Sequence, residues 1–344
     1  MPSPTGRTTM ARYSVVERVD RGEPVIELVD DGAKCTAVIV PGIGATCNRF
    51  AWEYQGAMLE LISSAPDYET LRRTPILYGN PVLFPFPNRI RDGVFEFAGK
   101  KVSLPINEPE RHTAIHGLVL NRPWEVAAKG AGDDDGAWVT LRFVSGAFPE
   151  VEAAYPFPFE AHYTYRLQDG ALVNEFTAKN TGSEPMPMGF GVHPWFPAPL
   201  SAKGRRSECR VKAPVTGVWR LDERLLPTGE IVPPAPSRDL AKGVPLADEE
   251  YDDVYTGLNQ HGPSEVVYTD PGTGVEIVIR SDSAFREFVI YAPLFRDIVC
   301  LEPYTCVTDA FNLEARGVDA GMIVLEPGQS WTGTIVYAPR PISA

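Results

Sequence analysis

His162-Tyr163-Thr164-Tyr165-Arg166-Leu167 leads through Gln168-Asp169-Gly170 into Ala171-Leu172-Val173-Asn174-Glu175-Phe176-Thr177-Ala178-Lys179. Two runs rich in aromatic and β-branched residues flank an Asp-Gly step. That step signals a tight hairpin, because the favoured two-residue turns need positive φ at their central positions. The same device recurs along the chain. Residues 94–104 turn at Ala98-Gly99-Lys100, and residues 265–269 and 275–280 flank Asp270-Pro271-Gly272-Thr273-Gly274. Further strand-like runs cover 25–29, 34–40, 49–54, 288–291, 298–302, 321–325 and 331–337. Helical signals are few, and residues 57–63 and 240–248 are the best candidates. No internal repeat is visible, and strands do not alternate with long amphipathic helices, which excludes Rossmann and TIM architectures. Gly42-Ile43-Gly44 is an isolated glycine pair with no helical pattern after it and reads as a turn. The proline-rich stretch 231–238 has strand-like sequence on both sides and reads as a long loop within one β body.

Composition agrees with this reading. The chain has 344 residues, with 30 glycines and 33 prolines, too punctuated for a helix bundle. It carries 32 basic against 45 acidic residues, a net charge of −13. Such a surface repels phosphate backbones and anionic membranes, so neither nucleic acid nor membrane is expected as a partner. The five cysteines, Cys35, Cys47, Cys209, Cys300 and Cys306, show no C-x-x-C spacing and indicate neither a disulfide framework nor a zinc site. Residues 1–11 lack the apolar core of a signal peptide, and no apolar run is long enough to span a bilayer. The expected location is the cytoplasm.

Of the five histidines, two have settings that suggest a site. His116 ends an apolar step into Gly117. His193 lies in Gly189-Phe190-Gly191-Val192-His193-Pro194-Trp195-Phe196, where the glycines let backbone approach a ligand and Pro194 stiffens the segment. Trp195 and Phe196 can offer a stacking wall or belong to the core. In the 298–302 run, a period of two puts Cys300 and Glu302 on one face and Val299 and Leu301 on the other. Glu302 is then either solvated at a strand end or held in a pocket, where desolvation raises its pKa and makes it a better base. Asp252 and Asp253 sit between Tyr251 and Tyr255, suited to sugar hydroxyls or to a solvated turn. Asn88-Arg89 follows the stiff run Phe84-Pro85-Phe86-Pro87, and Arg89 can be a fork to substrate or a surface cation paired with Asp92. No H-E-x-x-H occurs, and the only histidine pair at ligand spacing, His112 and His116, lies in residues that do not make a helix. No metal site is expected. The absence of G-x-S-x-G speaks against a nucleophile elbow.

Taken in order, these fragments resemble the aldose 1-epimerase (galactose mutarotase) family. The stretch 79–90, ending Asn88-Arg89-Ile90, is similar to the family's N-R-[IV] motif. The 93–104 hairpin follows, then Ile115-His116-Gly117-Leu118. Tyr155-Pro156-Phe157-Pro158-Phe159 leads to 163–167 and Asn180-Thr181-Gly182. Gly191-Val192-His193-Pro194-Trp195-Phe196 resembles G-x-H-P-[YW]-F, and Asp252-Asp253-Val254-Tyr255 resembles D-x-x-[FY]. Leu301-Glu302 and the turn 325–330 close the series. The resemblance spans 25–337. It implies an all-β fold: a single-domain β-supersandwich of the galactose mutarotase-like type with few short helices, over 25–340, preceded by a partly flexible segment 1–24.

The implied activity is interconversion of the α and β anomers of a free aldohexose, with no cofactor. By the same resemblance Glu302 is the base, His193 the acid and His116 a hydrogen-bonding group near the ring oxygen. Arg89, Asp252, Asn88 and Trp195 contact substrate. The chemistry suits these residue types, since opening a hemiacetal requires one proton removed and one delivered. The sequence departs from some members in having Pro303-Tyr304-Thr305 where they place a glutamine, which leaves the sugar open. Two alternatives share the fold: a non-catalytic sugar-binding or sensing protein, and a hexose-phosphate mutarotase using cations such as Arg72, Arg73, Arg89 and Arg91. A glycosidase needs two carboxylates across the scissile bond, and this reading supplies one. A small sugar is the expected partner, with monomer or dimer left open.

Overall fold

In the computed structural model, which describes residues 11–342, the opening hairpin forms as the Asp-Gly step requires. Phe159–Gln168 pairs antiparallel with Ala171–Asn180, Gln168 opposite Ala171, and the two residues between have φ of 50° and 76°. Both values are left-handed, as in a type I′ turn. Alternate residues of the first strand, Phe159, Ala161, Tyr163, Tyr165 and Leu167, are fully buried.

This hairpin supplies the third and fourth strands of a nine-stranded sheet. Gly136–Val144 flanks it on one side and the final strand, Ser330–Pro341, on the other; that last strand also pairs with Val275–Ser281 and so joins the two halves. A five-stranded antiparallel meander covers Tyr13–Asp20, Glu23–Asp30, Cys35–Val40, Thr46–Tyr54 and Ala57–Ile62. An eight-stranded sheet is built around Tyr251–Thr256, Glu287–Ala292 and Ile298–Tyr304. Leu28 and Phe50 from the meander, Tyr165 and Phe176 from the nine-stranded sheet, and Val289 and Leu301 from the eight-stranded sheet belong to one continuous apolar cluster. Each fully buried large apolar side chain stabilises the fold by about 1.5–3 kcal/mol. The fold is the all-β sandwich expected, and no helix among the described residues is long and apolar enough to cross a membrane.

Neither expected helix forms. Ala57–Ile62 is a strand, turned back onto Thr46–Tyr54 by Gln55 and Gly56 at φ of 53° and 79°. Residues 240–248 begin with one 3₁₀ turn, Leu240–Lys242, which Gly243 ends at φ 75° before the strand Val244–Pro245. Pro245 lacks the N–H that an interior helical position must donate. The helices present are single short segments: Tyr68–Arg73, capped by Asp67 accepting from the Thr70 N–H at 2.7 Å, Pro149–Ala154 with proline at its start, and Ala310–Ala315. Of the segment 1–24, residues 1–10 lie outside the described residues. Tyr13–Asp20 is an ordered strand paired along its length with Glu23–Asp30, so a boundary at Val25 would cut a strand.

Candidate active site

The strand Ile298–Tyr304 is buried along its whole length and has two functional faces. Val299 and Leu301 enter the main core, whereas Cys300, Glu302 and Tyr304 share the other face. Glu302 is 1% exposed, so it is held in a pocket and not solvated at a strand end. The Tyr304 hydroxyl donates to Glu302 Oε2, which leaves Oε1 without a hydrogen-bond partner. Burial pushes the Glu302 carboxyl well above its usual range; the nearby Asp252 charge adds to this, and the Tyr304 hydrogen bond opposes it.

His193 follows the two-residue strand Gly191–Val192 and is stitched to the neighbouring chain, its N–H donating to the Pro81 carbonyl at 3.1 Å. Its Nε2 stands 3.3 Å from Glu302 Oε1, within ion-pair distance but without hydrogen-bond alignment. Trp195 stacks on the imidazole, with centroids 5.3 Å apart and planes at 19°, and its indole N–H donates to the Ile76 carbonyl at 2.7 Å. Trp195 therefore lines the site, whereas Phe196 belongs to the main core. Burial holds His193 down at about 3, with Arg89 acting in the same direction.

The glycines around His193 pack against the protein's own side chains. A Cβ on Gly191 would stand 2.3 Å from the Tyr304 ring, and one on Gly189 would stand 2.2 Å from Cys306 Sγ. Their lack of side chain makes room for the Ile298–Tyr304 strand and the residues after it.

His116 arrives from the opposite wall. The strands Arg89–Arg91 and Thr113–Ile115 pair, and the His116 N–H donates to the Asn88 carbonyl at 2.9 Å. Asn88 and His116 both adopt left-handed backbone, with φ of 55° and 64°. The His116 ring meets His193 edge-on at 5.4 Å. Burial drives its pKa well below the usual value, reinforced by His193 and Arg89, which favours the neutral imidazole. His112 lies on the surface beside Asp92, and the residues between it and His116 form a strand rather than a helix.

Arg89 is neither a surface cation nor a partner of Asp92. It is buried, and its Nε and one terminal nitrogen bind Glu108 at 2.7 and 2.9 Å, while the other donates to Asn88 Oδ1 at 3.2 Å. Of its five N–H groups, one on each terminal nitrogen is left. Burial would raise Glu108, but hydrogen bonds from Arg89 and Thr113 outweigh it and hold the carboxylate below its usual range. Asn88 thus positions Arg89 as well as lining the cavity. Asp252 faces the cavity, whereas Asp253 is paired with Arg238 at 3.1 Å. Burial raises Asp252, against the pull of Arg89 and Arg111.

One cavity of about 400 Å³ is lined by all seven expected residues: Glu302, His193, His116, Arg89, Asp252, Asn88 and Trp195. Sequence reasoning missed Glu108, Arg111, Tyr291 and Tyr304. Only Tyr304 had a readable signal, being two residues beyond Glu302 on the same strand face. His193, Cys300 and Glu302 each offer a ligand-type atom within 4.8 Å of the others. Burial raises the Cys300 thiol well above its usual value, and the Glu302 charge adds to the shift.

Comparison with known proteins places the architecture. The sequence model of the family described as aldose 1-epimerase matches residues 25–338. The uncharacterized protein YihR of Escherichia coli K12 is 28% identical over 74% of this chain and 77% of its own length. Human galactose mutarotase is 24% identical over 75% of this chain and 68% of its own. Among solved structures, a galactose mutarotase-like protein from Clostridium acetobutylicum superposes with a TM-score of 0.87 at 26% identity, covering 96% of this chain and 99% of the other.

Proposed function

The chain belongs to the aldose 1-epimerase family, and from that premise we propose that it interconverts the α and β anomers of a free aldohexose in the cytoplasm. The observation that carries the proposal is the Glu302–His193 pair, 3.3 Å apart and buried at one cavity. Glu302 takes the proton from the anomeric hydroxyl as His193 delivers one to the ring oxygen. The bond between the anomeric carbon and the ring oxygen breaks, and the former hydroxyl oxygen becomes the aldehyde carbonyl. Rotation about the adjacent carbon–carbon bond and closure with the roles reversed give the other anomer.

Burial favours the uncharged form of each group, which leaves one proton on the pair. The reactive form, carboxylate with imidazolium, holds the same single proton on the other partner. Sugar hydroxyls bonding to Glu302 Oε1 and the imidazole supply the interactions that make the charged form accessible. Arg89 and Asp252 orient the sugar through its hydroxyls, His116 hydrogen-bonds near the ring oxygen, and Trp195 packs against the ring.

Two features favour an enzyme on unphosphorylated sugars over the alternatives. A sugar-binding protein has no use for a matched acid and base buried at ion-pair distance. Of the four cations proposed for a phosphate, Arg72 pairs with Glu23, Arg91 with Asp222, and Arg89 is clamped by Glu108, while Arg73 does not line the cavity. The cavity wall presents Glu110, Glu250 and Asp252, and its two arginines, Arg89 and Arg111, are both paired with Glu108. Exchange NMR of anomeric protons should show enzyme-accelerated exchange for glucose or galactose and at most a weak effect on glucose 6-phosphate. Faster exchange of the phosphate would transfer the reading to phosphosugars.

A further inference from the structure

Cys300 has no part in the proton transfers, yet it sits against the pair that does. Its side chain is fully buried, opposite Trp195 in the strand register, and its sulfur lies within 4.8 Å of a ligand atom of both His193 and Glu302. Glu302 Oε1 is buried without a hydrogen-bond partner. Imidazole, thiol and carboxylate form a mixed soft and hard donor set of the kind zinc prefers. With zinc–nitrogen and zinc–oxygen bonds of about 2.0 Å and zinc–sulfur of about 2.3 Å, nitrogen and oxygen donors of a tetrahedral site stand about 3.3 Å apart and a sulfur about 3.5 Å from either. His193 Nε2 and Glu302 Oε1 already stand 3.3 Å apart. The sulfur, within 4.8 Å of both, has at most about 1.3 Å to close on either partner.

The geometry points to a binding site for a thiophilic divalent cation of the Zn²⁺ class, made by His193, Cys300 and Glu302 and opening on the substrate cavity. Binding forms three bonds to the ion and releases to solvent the thiol proton and the proton held by the His193–Glu302 pair. Two of the three donors, His193 and Glu302, line that cavity. Resting on the acid–base reading for its consequence, the site is inhibitory: the ion occupies the lone pairs that would move protons, so cation and sugar exclude each other.

The test is equilibrium dialysis of the full chain with Zn²⁺ alone, with Co²⁺ as a spectroscopic probe of the ligands. The expected result is one ion per chain and a sulfur-to-cobalt charge-transfer band. Cys300→Ala should abolish the band and weaken Zn²⁺ binding at least tenfold, and the isosteric Glu302→Gln should weaken it similarly. Absence of stoichiometric Zn²⁺ binding by the wild type, or unchanged binding in both folded variants, overturns the proposal. These readouts do not depend on turnover. If zinc binds as expected but no sugar is turned over, the cation site stands and the mutarotase reading fails.

Discussion

Tyr304 and Glu302 act as a unit. The phenol occupies one carboxylate oxygen, fixes the plane of the carboxyl group and opposes the burial that would keep it protonated. Hydrogen bonds to charged groups contribute about 1.5–3 kcal/mol. Tyr304→Phe should therefore lower kcat about 10- to 100-fold, each factor of ten being about 1.4 kcal/mol. The direction with pH follows. Without the phenol, Glu302 holds its proton to higher pH, so the shared proton lies more on the carboxyl and the alkaline limb of the rate profile moves upward. The acid limb follows His193, held at about 3, and not the ordinary histidine range. A pH–rate profile corrected for the spontaneous reaction checks both points. Unchanged kcat in Tyr304→Phe would remove the tyrosine from the machinery.

The site exists because strands approach more closely than side chains normally allow. Gly191 lies opposite Tyr304 in the register, and its bare α-carbon accepts the phenol ring. Gly191→Ala should displace that ring and break its bond to Glu302, costing about 1–3 kcal/mol of stability through overpacking. The loss of rate should match that of Tyr304→Phe; thermal unfolding and kinetics on the same preparation test the pair of effects. Elements like these were unevenly legible in the sequence. The 162–179 hairpin was readable because Asp169 and Gly170 encode their turn locally. Residues 57–63 read as a helix and form a strand over Ala57–Ile62, because pairing with Thr46–Tyr54 decides their state and a short apolar run does not show which partner it will meet. At the site, Glu302, His193, His116 and Arg89 stood out within ordered motifs. Glu108 did not, since its role depends on a distant pairing that delivers Arg89 to it.

Taken whole, the molecule buries several titratable groups, and the burial of Glu302 and His193 is costly to stability. Glu302, raised from 4.5, keeps its proton in the folded state above the pH at which the unfolded chain loses it. Stability therefore declines as pH rises above that value, by up to about 1.4 kcal/mol per pH unit while the difference persists. His193, lowered from 6.5, acts in the opposite sense: the unfolded state binds the extra proton below that value, and stability falls on acidification. Glu302→Gln removes the first term and keeps an oxygen to accept from Tyr304. The variant should gain stability relative to wild type between pH 5 and 8. Denaturant titrations across that range check this, and a constant difference would show that Glu302 is not held protonated by the fold.

In the proposed mechanism the buried Glu302–His193 pair opens and closes a sugar ring. Its most direct test is polarimetry on freshly dissolved α-glucose and α-galactose, comparing wild type with Glu302→Gln. The account predicts that wild type brings at least one of these sugars to anomeric equilibrium faster than the spontaneous reaction. A folded Glu302→Gln protein should be slower by about 10²- to 10⁴-fold, the usual contribution of one acid–base group. Equal acceleration by both proteins would contradict the assignment of the base.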